Sequence, residues 1–173
     1  MTNVLEAAAP AQLSSTQKGT IGELIVSAGI LEASNGRLSP FKPVADDDGL
    51  DLLVLDKDSR RTLAIQVKCR RGVDHPDAQT VEFDIRLKTF VEAADGYVLC
   101  VRMEGFEAKT FWLIPSSELR RIAREKNGLL VVVASAKPGS ADKFSRYRLT
   151  TFAQVVEKIR ARTGSATGDV TVV

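Results

Sequence analysis

Asp48-Gly49-Leu50-Asp51 and, one turn later, Ile65-Gln66-Val67-Lys68 set an acid, an amide and an ammonium inside two otherwise apolar runs. The runs, residues 50–55 and 62–70, are rich in Leu, Val and Ile and are separated by the polar segment Asp56 to Arg60, so they read as a β-hairpin. Successive side chains of a strand point to opposite faces. In the second run Leu63, Ile65, Val67 and Cys69 therefore share one face, and Ala64, Gln66, Lys68 and Arg70 share the other. A turn centred on Asp58-Ser59 places Asp51 directly across from Gln66 and gathers Asp51, Gln66 and Lys68 on one face. A slip of one residue would separate them.

Polar groups inside apolar strands cost free energy unless they pair, bind a metal or open to a cleft. A carboxylate with an amide oxygen suits a hard cation such as Mg²⁺, which retains waters and accepts phosphate oxygens. A nearby lysine is suited to orienting or deprotonating a water, or to stabilising charge on a phosphate. Two readings of these residues stay open on this ground: a metal-assisted phosphodiester site, and a structural Asp51–Lys68 ion pair at the strand ends.

Outward from the hairpin, Ser14 and Ser15 offer an N-cap for a helix running to about Gly29, with an apolar stripe of Ile21, Leu24, Ile25 and Ala28. Gly19 and Gly22 lie on another side of it and permit close backbone approach, and Glu23 sits beside them. Residues 37–45, containing Pro40 and Pro43, read as extended. Residues 80–87 alternate as a strand, and 88–94 suit a short helix. Strands follow at 97–103 and 110–114. Pro115-Ser116 opens a helix that Asn127-Gly128 is expected to close. Residues 129–134 read as a buried strand, 146–149 as a further short one, and 151–162 as a last helix with Phe152, Val155, Val156 and Ile159 at helical spacing. The order is a helix, a β-meander and then mixed elements. It predicts an α/β fold in which a central mixed β-sheet is flanked by helices. One domain over residues 14–163 is expected, between a flexible arm at 1–13 and a flexible tail at 164–173.

The hairpin motif resembles the PD-(D/E)XK nuclease superfamily, in the variant with Gln at the usual Glu position. The upstream Lys18-Gly19-Thr20-Ile21-Gly22-Glu23-Leu24 is similar to the helix that brings an extra acid in that family. Tyr97-Val98-Leu99-Cys100-Val101 and Phe111-Trp112-Leu113-Ile114-Pro115 look like strands of related resolvase-type and intron-associated endonuclease domains. The resemblance spans about residues 15–120 and implies a restriction endonuclease-like sandwich. By it, Asp51 is the principal metal ligand, Gln66 the second through its side-chain oxygen, and the Val67 carbonyl a third. Lys68 serves the water, and Glu23 reaches the metal directly or through water. Gln66 is the departure, since it removes one negative charge. The implied activity is Mg²⁺-dependent endonucleolytic hydrolysis of DNA, with Mn²⁺ substituting. The alternative is a catalytically inactive module of the same fold that binds nucleic acid or a protein.

Charge is unevenly placed. Residues 1–58 carry 4 Lys/Arg against 9 Asp/Glu, and residues 59–173 carry 20 against 13, so an acidic first third precedes a basic remainder. Such a distribution suits a cation site with a polyanion around it. Lys18, Arg70, Arg71, Arg86 and Lys88 are the candidate DNA-binding side chains, and Arg120, Arg121 and Arg124 cluster further on. Double-stranded or branched DNA is the expected partner, and a homodimer is consistent with cutting both strands. His75 is the only histidine, which excludes a site built from several, and no Walker or dinucleotide-binding glycine motif is present. The acidic run at 46–51 does not fit a calcium-binding EF-hand loop. Cys69 and Cys100 read as small core residues. No secretory signal or bilayer-length apolar run is found, so a cytoplasmic protein without a membrane contact is expected.

Overall fold

The computed structural model describes residues 12–44, 49–71 and 79–164. Most of the expected arm and tail, the acidic turn at 46–48 and His75 lie outside the described residues.

Helix α1 (Ser15–Ala33) opens with a reciprocal cap: the Ser14 side chain accepts from the Gln17 N–H, and the Gln17 side chain accepts from the Ser14 N–H. Strands β1 (Leu38–Phe41), β2 (Leu52–Asp56) and β3 (Thr62–Arg71) follow, then β4 (Thr80–Arg86). After a single 3₁₀ turn come β5 (Gly96–Glu104), β6 (Glu107–Pro115), α2 (Ser116–Ile122), β7 (Arg124–Lys126), β8 (Leu129–Ser135), β9 (Arg148–Leu149) and α3 (Phe152–Thr163). Six strands form a mixed central sheet in the order β1-β2-β3-β5-β6-β9, and three form a second sheet, β4-β8-β7.

The sheet is therefore not a plain meander. Strand β4 leaves for the second sheet, and β3 pairs with β5 in parallel. Each face of the central sheet then has its own core. On one side Ile65, Val67, Leu99 and Val101 pack with Val26 and Ile30 of α1 and Val155 and Ile159 of α3. On the other, Val98, Cys100, Trp112 and Ile114 meet Phe83, Ile85, Leu130 and Val132 of the second sheet and Leu119 of α2. The expected α/β sandwich, a mixed sheet flanked by helices, is the one that forms.

Three local expectations are corrected. The buried face of α1 is Gly22, Val26, Gly29 and Ile30, whereas Leu24, assigned to the core stripe, is 57% exposed. The helix is apolar nearly all round, so spacing alone does not select a face. The glycines do. A Cβ on Gly22 would lie 2.6 Å from Cys69 Sγ and 2.7 Å from Cys69 Cβ, and one on Gly29 would overlap the Phe152 ring. The face that approaches closest is the one without side chains. The second correction concerns Asn127-Gly128. Both residues have positive φ, 51° and 74°, which shapes a tight hairpin between β7 and β8 rather than a helix end. The α2 helix stops at Ile122, and Arg124 belongs to a strand. Residues 88–94 likewise form no α-helix.

These contacts separate two substitutions that helix propensity alone would treat alike. Gly22→Ala is expected to cost about 1–3 kcal/mol through overlap with β3. Gly19→Ala, with open space around it, is expected to stabilise by up to about 1 kcal/mol. Urea unfolding midpoints of the two variants should move in opposite directions.

Candidate active site

The positions of Asp51, Gln66 and Lys68 follow from the β2–β3 register. Leu52 pairs with Ile65 and Leu53 with Ala64, which puts Asp51, just before β2, across from Gln66. The turn that sets this register is tightly bound. Asp56 N–H donates to the Arg61 carbonyl and Arg60 N–H to the Asp56 carbonyl, both at 2.9 Å. The Asp56 side chain, fully buried, accepts from the Asp58 N–H at 3.0 Å and from Thr163 Oγ1 at 2.5 Å. Arg160 adds a salt bridge to Asp58 at 2.8 Å. The end of α3 thus clamps the hairpin turn.

On β3 the odd-numbered side chains Ile65, Val67 and Cys69 turn toward α1, while Gln66 and Lys68 share the face of their β5 partners Val98 and Cys100. The apolar layer of the second core gives way to polar side chains where it reaches β3. There a cleft of about 560 Å³ opens, lined by Asp51, Gln66, Lys68, Asp84, Arg86 and the first turn of α1 at Ser15 and Thr16. Asp51 and Gln66 are only 6% and 8% exposed, so each requires a partner or a ligand. Asp51 Oδ2 accepts from the Val67 N–H at 2.6 Å. The Gln66 side chain makes no hydrogen bond among the described residues. Lys68 is half-buried and enters no salt bridge within 4.0 Å among them.

Gly49 explains its place in the motif. Its φ is +64°, and a Cβ there would overlap the Thr89 carbonyl and lie 2.7 Å from Gln66 Nε2. Only glycine lets the chain pass this close to the Gln66 amide. An adjoining recess of about 250 Å³, lined by Leu50, Ala64, Phe90, Tyr97 and Val98, shares Gly49 and Gln66 with the cleft.

Asp51, Gln66, Val67 and Lys68 are brought together on one hairpin; of the other expected site residues only Arg86 lines the cleft. Glu23 does not line the cleft and instead pairs with Lys42, beyond β1. Lys18, Arg70 and Lys88 are solvent-exposed. Arg71 stacks over the Phe106 ring at 4.9 Å, with Nε and Nη2 buried and without hydrogen-bond partners. Asp84 was not foreseen. The signal was present in the alternation Val81, Phe83, Ile85 against Glu82, Asp84, Arg86, which marks an outward polar face on β4. That pattern does not tell which other element the polar face borders.

The donor chemistry of Asp51, Gln66 and Val67 fits a hard cation. In an antiparallel ladder the N–H and C=O of one residue point the same way. The Val67 N–H reaches Asp51, so its carbonyl faces the side where β2 has ended. Carboxylate, amide and carbonyl oxygens are the donor types that Mg²⁺ prefers.

The structure aligns with that of a bacterial homing endonuclease at a TM-score of 0.56 and 17% sequence identity, covering 90% of this chain and 100% of that one. The two share a fold. At this identity the likeness speaks for architecture and not for activity. No protein-family model matches the chain, and no curated protein matches its sequence. Among the described residues, no helix is long and apolar enough to cross a membrane.

The thiols beneath the site are inert. Burial, reinforced by the Glu23 carboxylate, pushes Cys69 up to about 12, and burial pushes Cys100 in the same direction. Unfolded thiols ionise near about 8.5. The folded chain therefore keeps protons that the unfolded chain loses, and the stability this gives is complete below about pH 8.5 and lost as pH rises toward 12. Denaturation midpoints should be lower at pH 10 than at pH 8, and a Cys100→Val variant should lose less over the same interval.

Proposed function

We propose that this protein is a metal-dependent endonuclease of the PD-(D/E)XK type, hydrolysing DNA phosphodiester bonds in the cleft between β3 and β4. One observation carries the reading: Asp51, a Gln66 side chain without a hydrogen bond and a Lys68 without a salt bridge among the described residues meet in a single cleft, on a fold shared with a homing endonuclease.

Asp51, Gln66 through its side-chain oxygen and the Val67 carbonyl would hold Mg²⁺, or Mn²⁺ in its place. When bound, the cation supplies Lewis acidity to a phosphate oxygen and to its attached water. The Val67 N–H fixes the orientation of the Asp51 carboxylate. Lys68 Nζ positions the attacking water and, in its neutral form, takes its proton; in its charged form it offsets negative charge gathering on the phosphate. Arg86, inside the cleft, grips a backbone oxygen. Lys18, Arg70 and Lys88, exposed on the surface, would add contacts that hold nucleic acid without reading its sequence. Double-stranded or branched DNA is the proposed substrate, and two copies acting together are proposed where both strands are cut.

A second reading has its own support. Gln66 is neutral and Glu23 is engaged by Lys42, so Asp51 is the only carboxylate among the ligands that the family resemblance placed at the metal. A module of this fold that binds DNA without cutting it would retain salt-dependent binding in Asp51→Ala.

Nicking of supercoiled, branched and single-stranded DNA with Mg²⁺ or Mn²⁺ decides between them. Asp51→Ala and Lys68→Ala are each expected to lower cleavage by about a hundredfold or more. Their stabilities should diverge: Asp51→Ala leaves the Val67 N–H without this acceptor and costs about 1–3 kcal/mol, whereas Lys68→Ala is neutral or stabilising. A folded parent that cuts no DNA in either metal moves the assignment to the binding module.

A further inference from the structure

Two acidic side chains line the cleft among the described residues, Asp51 and Asp84. Asp84 reaches it from the second sheet. Strand β4 buries Val81, Phe83 and Ile85 and turns Glu82, Asp84 and Arg86 outward. Asp84 and Arg86 on this outward face share the cleft with Gln66 and Lys68 of β3, so the face borders β3 rather than open solvent alone. Asp84 makes no hydrogen bond or salt bridge among the described residues, not even with Arg86 two positions along on the same face.

Charge balance in the cleft makes this carboxylate consequential. Gln66 contributes an oxygen and no charge, and Lys68 offsets the charge of Asp51. Arg86 adds a further positive charge. Without Asp84 the cleft is a net cation, a poor host for a divalent metal whose affinity follows the number of anionic ligands. The acid expected from α1 is not in place, since Glu23 is taken by Lys42. The Gln66 side chain points independently to a ligand in the same cleft, because it is 8% exposed overall, makes no hydrogen bond among the described residues and presents its amide to that cleft.

We propose that Asp84 supplies the second carboxylate to the divalent cation held by Asp51 and Gln66, the part that family resemblance gives to Glu23. The inference rests on the metal-site reading above and names an additional ligand for it. It also gives β4 a role in assembling the site, which would bridge both sheets rather than belong to one hairpin.

The test measures Mn²⁺ binding to the full chain without DNA, by the loss of the free-ion electron paramagnetic resonance signal, so that it does not depend on cleavage. Asp51→Asn and Asp84→Asn are each expected to weaken binding about tenfold. Glu23→Gln is expected to leave it within about twofold. Gln66→Glu placed in the Asp84→Asn background is expected to recover most of the loss by restoring the missing charge. Asp84 is exposed, so its substitution should leave the fold intact, which thermal unfolding checks. If Asp51→Asn weakens binding and Asp84→Asn does not, the Asp84 assignment is overturned while the metal site stands. Weakening in Glu23→Gln in its place returns the role to α1. If Asp51→Asn has no effect, or the parent binds no Mn²⁺, the metal site itself is wrong and the Asp84 assignment goes with it.

Discussion

The turn from Asp56 to Arg61 is the constraint on which the site depends. Side chains alternate along a strand, so a shift of a single residue in the β2–β3 pairing would send Gln66 and Lys68 to the face opposite Asp51. Backbone hydrogen bonds within the turn specify the register, and the buried Asp56 carboxylate ties it to Thr163 at the far end of the chain. A residue more than 100 positions away in sequence thereby helps to hold the geometry of the cleft. Removing one partner of such a buried pair leaves the other without its hydrogen bond, a larger loss than the bond's net contribution.

Local pattern was enough to read this hairpin. Two apolar runs, a polar turn and period-two alternation placed Asp51 opposite Gln66, and the observed pairing has that register. The outer helix was legible in its ends and illegible in its orientation. The Ser14 cap is written in the residues, but a helix that is apolar on all sides carries no angular signal, and Leu24 and Ala28 proved to face outward. Asn127-Gly128 illustrates a different ambiguity. The same dipeptide ends helices and closes hairpins, and only the strand partner offered by β8 decides between them.

Asp84 was hidden for a third reason. Its alternation is plain in the sequence, yet its place at the cleft comes from the departure of β4 into another sheet and the return of the chain to pair β5 beside β3. That connection is non-local, and no window of residues contains it. Glu23 is the converse: a motif placed it near the site, while Lys42, in a segment shaped by Pro40 and Pro43, draws it away. Residues within one hairpin could be assigned from the chain, and those on other elements could not.

The margins of the two sheets bear on how molecules of this protein can meet. Strand β1 carries Pro40, which has no N–H to offer a neighbour, and β9 is only two residues long. Strand β7 is Arg124-Glu125-Lys126, charged and exposed throughout. Proline, brevity and charge are the usual defences of a sheet edge against adding another chain's strand. Joining molecules into a continuous sheet is thus disfavoured on three margins, which guards against fibrous aggregation. On those three margins an ordered association would have to be built through side-chain surfaces, where shape and charge can discriminate between a correct partner and a chance encounter.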